Sequence, residues 1–154
     1  DIFALFKCLS RRIKPCLTGR RQRLSLCYVQ DVVQGILLAV ETQAKSGEIF
    51  FLSDGNDYRM EEIGDIFARA MGITALRIRV PGRMVVGVAC FSDVLSQLFG
   101  KPFLLNKDKA AEIVQKEWVC DITKAKTLLG FAPRVSLSEG AGLTFEWYKK
   151  EKWL

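Results

Sequence analysis

The sequence predicts an α/β fold in a single unit spanning residues 1–154, and three observations carry that expectation. Segments with helical periodicity alternate with short β-prone runs, the pattern of an α/β unit. Glu48 to Leu52 is an almost uninterrupted apolar run, which suits a strand buried on both faces of a parallel sheet. No repeat, low-complexity tract or linker divides the chain. With 49% hydrophobic and 26% charged residues, it has the means to bury a core, and disorder is excluded.

Each element follows from local chemistry. Apolar residues at positions 2, 5, 6, 9 and 13 form one helical stripe over Ile2 to Ile13, and Pro15 is expected to end it. Leu17 to Gly19 reads as a short strand entering a turn, and Leu24 to Val29 as a second strand. Asp31 then has the position of an N-cap for a helix whose buried stripe would be Val32, Val33, Ile36, Leu37, Val40 and Ala44. After the Glu48–Leu52 strand, Ser53 to Asp57 is a turn cluster. A helix follows, with Ile63, Ile66, Phe67, Ala70 and Met71 on one side and Gly72 at its stop. Leu76 to Val80 alternates as a strand, broken by Pro81. Gly82 to Phe99 reads as a helix that is apolar nearly all round. Asn106 would cap a short helix through Gln115, and Asp121 another over Ile122 to Leu129, stopped by Gly130. Ser136 and Glu139 have capping-box spacing before a last helix with Leu137, Ala141, Phe145 and Tyr148 on one face.

The longest apolar run, Met84 to Phe91, falls well short of the roughly 20 residues that a membrane-spanning helix needs. The net charge of +6 lies entirely in residues 1–23, where Lys7, Arg11, Arg12, Lys14, Arg20, Arg21 and Arg23 face Asp1 alone. Such a local field suits an anionic ligand, nucleic acid, a membrane surface or an acidic partner, or serves only as a solvated face. Five widely spaced cysteines without a C-x-x-C suggest a reducing, cytoplasmic setting, with Cys8, Cys27 and Cys90 as small core residues. The absence of histidine excludes a Ser-His triad, a Cys-His pair and any His-containing zinc site.

Phosphate-binding signals are weak. The twelve glycines form no G-x-G-x-x-G and no P-loop, and Gly140-Ala141-Gly142 lies inside the last helix. Tyr148 and Lys152 have Y-x-x-x-K spacing, but in a lysine-rich last turn where solvated lysines are expected. Arg23 and Arg83 stand at strand junctions, where clefts form in α/β sheets, and arginine suits bidentate phosphate binding. Two exposed arginines are the plainer reading of the same residues.

Four segments in register resemble the extended short-chain dehydrogenases, the NAD-dependent epimerase/dehydratase family. They are Arg23-Leu24-Ser25-Leu26-Cys27-Tyr28-Val29-Gln30-Asp31-Val32-Val33, Gly47 to Gly55, Asp121 to Pro133, and Glu139-Gly140 with Trp147-Tyr148. The resemblance implies a C-terminal portion of a Rossmann-type NAD(P)-binding fold, carrying the small substrate-binding subdomain. The absence of an initiating Met at residue 1 agrees with a piece of something longer. The family's cofactor loop and catalytic Ser/Thr, Tyr and Lys would then precede Asp1. No catalytic or cofactor-binding residue is expected within this chain, and NAD or NADP is expected in the full-length enzyme only.

The resemblance further implies substrate binding by Arg23 and Arg83, the nearest matches to the family's diphosphate-gripping arginines, and a small-molecule substrate with no metal. A nucleotide sugar is the leading substrate class. The long apolar segment Val85 to Phe99 instead resembles relatives acting on steroids and other hydrophobic alcohols. An alternative of another class is a non-catalytic module that binds nucleic acid or an acidic partner through residues 7–23. Nucleic acid is not the expected partner on the family reading, whereas homo-oligomers are. Arg59 stands where the family often places a helix-capping Ser or Thr, with Asp57 as the expected substitute.

Overall fold

The computed structural model describes residues 2–18, 22–42, 47–88, 110–111, 115 and 117–154. The elements in order are α1 (Ile2–Ser10), β1 (Ile13–Thr18), β2 (Arg23–Ser25), α2 (Val29–Glu41), β3 (Asp57–Arg59), α3 (Met60–Ala70), β4 (Leu76–Pro81), β5 (Glu117–Trp118), α4 (Thr123–Leu129) and α5 (Leu137–Lys150). Residues 82–88 are also helical, and the remainder of the expected Gly82–Phe99 helix lies outside the described residues. Of the expected helix between Asn106 and Gln115, only 110–111 are described, and these are helical.

β1 and β4 pair in parallel from Ile13↔Leu76 to Thr18↔Pro81. β2 is the middle strand of a second sheet, antiparallel to β3 and parallel to β5. The alternating α/β reading therefore stands, and the two short sheets carry one parallel pair each.

Two apolar clusters hold the elements together. Leu5, Phe6 and Leu9 of α1 meet Ile63, Phe67 and Ala68 of α3 and Ala141 of α5. Phe6 stacks on Phe67 with ring centroids 4.7 Å apart. The expected faces of α3 and α5 are the ones that pack here. The second cluster joins Ile122, Ala125, Leu129 and Phe131 to Leu38, Ala39, Phe50 and Leu52.

Several boundaries differ from expectation. Helix α1 stops at Ser10, and β1 runs straight through Pro15. Among the described residues β1 has a single neighbour, β4, so the donor that proline lacks is not needed on the open side. The expected strand Leu24 to Val29 is only three residues long, because Val29 already begins α2.

Glu48 to Leu52 joins no ladder among the described residues, and it is not buried on both faces. Phe50 and Leu52 turn inward, whereas Ile49 and Phe51 are exposed. The expected buried stripe of α2 is reversed. Val33, Ile36, Leu37 and Val40 are more than half exposed, while Asp31 and Gly35 are buried. Gly35 lets Leu52 approach so closely that an added Cβ would lie 2.5 Å from its Cδ1. Ala44 lies outside the described residues.

Capping follows the sequence in part. The Ser136 hydroxyl accepts from the Glu139 N–H (3.3 Å), whereas α4 starts at Thr123 with Ile122 in the N-cap position, so Asp121 stands one residue earlier than expected of a cap and accepts from the Thr123 N–H (2.8 Å). Gly130 closes α4 in the left-handed region (φ 66°), as its position predicts. Asp57 does not cap α3. Instead the Glu62 carboxylate accepts from the Arg59 N–H (2.8 Å). Asp31 is no cap either, since α2 starts two residues before it.

Candidate functional site

Asp31 organises the centre of the molecule. It lies in the first turn of α2, 2% exposed, and accepts from the backbone N–H groups of Arg134 (3.1 Å) and Val135 (3.0 Å). This ties the lead-in to α5 to the first turn of α2. Gly140 on α5 then sits against Tyr28, where an added Cβ would be 3.0 Å from the ring.

Between these pieces lies a small cavity of about 90 Å³. Its wall is mostly apolar, from Ile2, Leu26, Phe67, Val135, Leu137 and Ala141, with Cys27, Tyr28, Asp54, Ser136 and Thr144 adding polar atoms. The sequence offers Asp54 only as a member of the Ser53–Asp57 turn cluster. It does build the turn, its Oδ1 accepting from the Asn56 N–H (3.0 Å). Its Oδ2 also accepts from the Tyr58 hydroxyl at 2.6 Å. The only signal in the sequence was a carboxylate four residues before a tyrosine.

Two groups in and beside this cavity have shifted acidities. Burial, followed by the nearby carboxylates Asp31 and Asp54, pushes the Cys27 thiol up to about 11. The thiolate that a nucleophile requires is therefore disfavoured. Burial and the hydrogen bond to Asp54 push the Tyr58 hydroxyl up to about 12, so it remains a donor. Cys8 and Cys27 are only partly buried, whereas Cys16 is buried and Cys90 lies outside the described residues. Among the described residues, no three His, Cys, Asp or Glu side chains gather to hold a metal. None of the described helices is long and apolar enough to cross a membrane.

The two arginines singled out from the sequence belong to different parts of the fold, Arg83 following the parallel pair and Arg23 opening a strand of the other sheet. β1 leaves the sheet at Thr18 opposite Pro81, the last residue of β4. Arg83 is exposed two residues beyond Pro81, and Arg23 opens β2. Arg23 is already engaged, its guanidinium donating to Asp57 at 3.1 Å and pairing in register with Arg59 on one side and Glu117 on the other. Asp57 also accepts from the Ser25 hydroxyl (2.7 Å), and Ser25 accepts from the Cys120 N–H (3.1 Å). The ion pair thus belongs to a chain of bonds tying β2, β3 and the β5 exit together. Arg20 and Arg21 lie outside the described residues.

A second, broad depression of about 990 Å³ lies along α3, β1 and β4. Its deepest charge is Lys14, 3% exposed and ion-paired with Asp65, which Arg77 also contacts at 3.0 Å. The Lys14 stem lies across Gly64. Sequence reading had Lys14 only as part of a basic run. The Y-x-x-x-K spacing does not lie within one helix, because α5 ends at Lys150 and Lys152 stands beyond it in the left-handed region (φ 58°).

No family model matches the chain. An uncharacterized protein, y4nL, of Sinorhizobium fredii is 33% identical over 151 residues, covering 94% of this chain and 42% of its own length. A 4-hydroxy-2-methyl-3-oxo-4-farnesyl-3,4-dihydroquinoline-1-oxide ketoreductase of Stigmatella aurantiaca is 28% identical over 123 residues, 79% of this chain and 36% of the relative. The chain therefore spans less than half the length of these curated relatives.

Among solved structures, an epimerase of Methanothermobacter thermautotrophicus superposes with a TM-score of 0.71 at 18% identity, over 99% of this chain and 38% of that one. The UDP-glucose 4-epimerase of Thermotoga maritima, solved with UDP-glucose, gives 0.67 at 22% identity over 99% and 40%. The UDP-glucuronic acid 4-epimerase of Bacillus cereus, solved with NAD, gives 0.66 at 19% over 97% and 39%. The chain has the α/β fold of a segment that makes up about two fifths of these epimerase structures.

Proposed function

We propose that this chain is the substrate-side portion of an NAD(P)-dependent short-chain dehydrogenase/reductase of the extended, epimerase-like type. The observation that carries the reading is the reversed face of α2. Val33, Ile36, Leu37 and Val40 form an exposed apolar stripe, and Ile49 and Phe51 are exposed in a segment that joins no ladder among the described residues. An apolar helix face and an open segment fit an arriving sheet layer. The relatives have more than half of their length outside the matched region to provide one. NAD or NADP would bind that other part, and hydride transfer between nicotinamide and a secondary alcohol or ketone would occur at the boundary. Left uncovered, the same face favours homo-oligomers.

A hydrophobic ketone or alcohol is the favoured substrate class. The cavity at Leu26, Phe67 and Leu137 is apolar, and the ketoreductase relative is named for a farnesylated quinoline. A nucleotide sugar is the second reading, favoured by the position of Arg23 at the start of one strand and of Arg83 just after another, and by the epimerase fold. In that case Arg23 would have to exchange Asp57 for a diphosphate. A cytoplasmic setting agrees with the free cysteines.

The test joins this chain to the remaining part of the Sinorhizobium fredii relative and follows NAD(P)H oxidation. Turnover of a prenylated quinolone ketone supports the favoured substrate. Conversion of UDP-glucose or UDP-glucuronic acid instead moves the assignment to the second reading. Failure with both, in a folded chimera that binds NAD(P), overturns the proposal.

A further inference from the structure

We propose that the end of the molecule formed by α1, α5 and the C-terminal turn docks on an anionic lipid surface. The basis is a run of aromatic rings open to solvent and rimmed by lysines, and it does not depend on the reaction proposed above. Phe3 contacts Trp153 at 5.5 Å, and Trp153 contacts Trp147 at 5.2 Å between ring centroids. Trp147 is 48% and Trp153 53% exposed. Leu143, one turn before Trp147 on α5, and Ile2 at the start of α1 extend the apolar strip. Neither indole N–H has a hydrogen-bond partner among the described residues.

The rim is cationic. Lys7 lies 5.1 Å over the Phe3 ring, Lys150 ends α5 and Lys152 directly precedes Trp153, while Lys149 lies 5.3 Å over the Phe145 ring on another side of the helix. Glu146 and Glu151 oppose them, with Glu146 engaged by Lys149 at 3.4 Å, so the patch keeps a net positive charge.

This chemistry selects the occupant. A second protein surface would cover the rings equally well, but it would not call for a ring of lysines. An indole combines an apolar body with one donor and settles where hydrocarbon meets headgroups. Lysines beside it gain from anionic headgroups, about fivefold in partitioning per residue close to the surface. No helix is inserted, and the docking is peripheral, through side chains at one end of a folded domain.

The experiment is co-sedimentation of the protein with phosphatidylcholine vesicles and with vesicles containing about 30% phosphatidylglycerol, at low and high salt, since screening weakens the attraction. Trp118→Phe isolates the fluorescence of Trp147 and Trp153. The expected result is binding to the anionic vesicles only, weakened by salt, with a blue shift of the emission. Trp147→Ser with Trp153→Ser, and separately Lys150→Glu with Lys152→Glu, should each lower binding about tenfold or more. Both residue pairs are exposed, and circular dichroism checks that the variants stay folded. If the tryptophan pair proves unfolded, the lysine pair and the blue shift decide. Equal binding to both vesicle types, no binding, or loss of anionic binding to competing nucleic acid without any blue shift overturns the proposal.

Discussion

Replacing Asp31 tests the central tether directly. Its carboxylate is 2% exposed and accepts two backbone N–H groups from residues more than a hundred positions away in sequence. Hydrogen bonds to a charged acceptor are worth about 1.5–3 kcal/mol each, and donors left without a partner add their own desolvation cost. Asp31→Ala removes both bonds and is expected to cost about 3–5 kcal/mol, a large share of an ordinary domain's stability. Asp31→Asn keeps one acceptor oxygen but turns an amide NH₂ toward the second N–H, so it should cost about 2 kcal/mol. In urea, with a slope of roughly 2 kcal/mol per molar, the alanine variant should lose about 2 M of its midpoint. Asp121→Ala is the control, because that carboxylate serves only its own helix end at the surface. If Asp31→Ala shifts the midpoint no more than Asp121→Ala, the tether carries no stability and the reasoning fails.

Other measurements probe separate parts of the molecule. Cys27, raised from its ordinary 9.0 to about 11, should alkylate about 100-fold more slowly at pH 8 than an unperturbed thiol, read by mass spectrometry of iodoacetamide-labelled peptides. Its neutral thiol, and the Tyr58 hydroxyl raised to about 12, contribute stability below their unfolded values near 9 and 10. That contribution should fade as pH climbs toward the folded values, so the melting temperature should fall through this alkaline window. Removing the Tyr58 hydroxyl with Tyr58→Phe should flatten the upper part of that fall. Asp65→Ala leaves the deeply buried Lys14 ammonium unpaired and should cost about 2 kcal/mol, whereas Lys14→Met, which keeps the stem across Gly64, should cost less; thermal melts separate the two.

The family resemblance was legible because its signals are local and carry fixed geometry. Gly130 followed by Phe131 and Pro133 marks a helix stop whatever surrounds it, and Ser136 with Glu139 marks a start. The site was less legible. Asp54 and Tyr58 meet through a turn, and the role of Asp31 depends on a segment beyond position 130. A cap and a long-range tether call for the same residue type, and propensity alone cannot separate them.

The sequence by itself determined α3, β4, α4 and α5, because each carries its own periodicity and stop signals within one window. It also placed Arg23 and Arg83 at strand junctions. Only the tertiary structure decided that β1 runs through Pro15, since the parallel partner that permits it lies more than sixty residues away. Only it showed that Arg23 is balanced by Asp57 across a ladder. The reversal of α2 has the same cause. Its apolar residues occupy both faces, so periodicity could not say which one meets Leu52, and Gly35 admits Leu52 on its side because a Cβ there would keep it out.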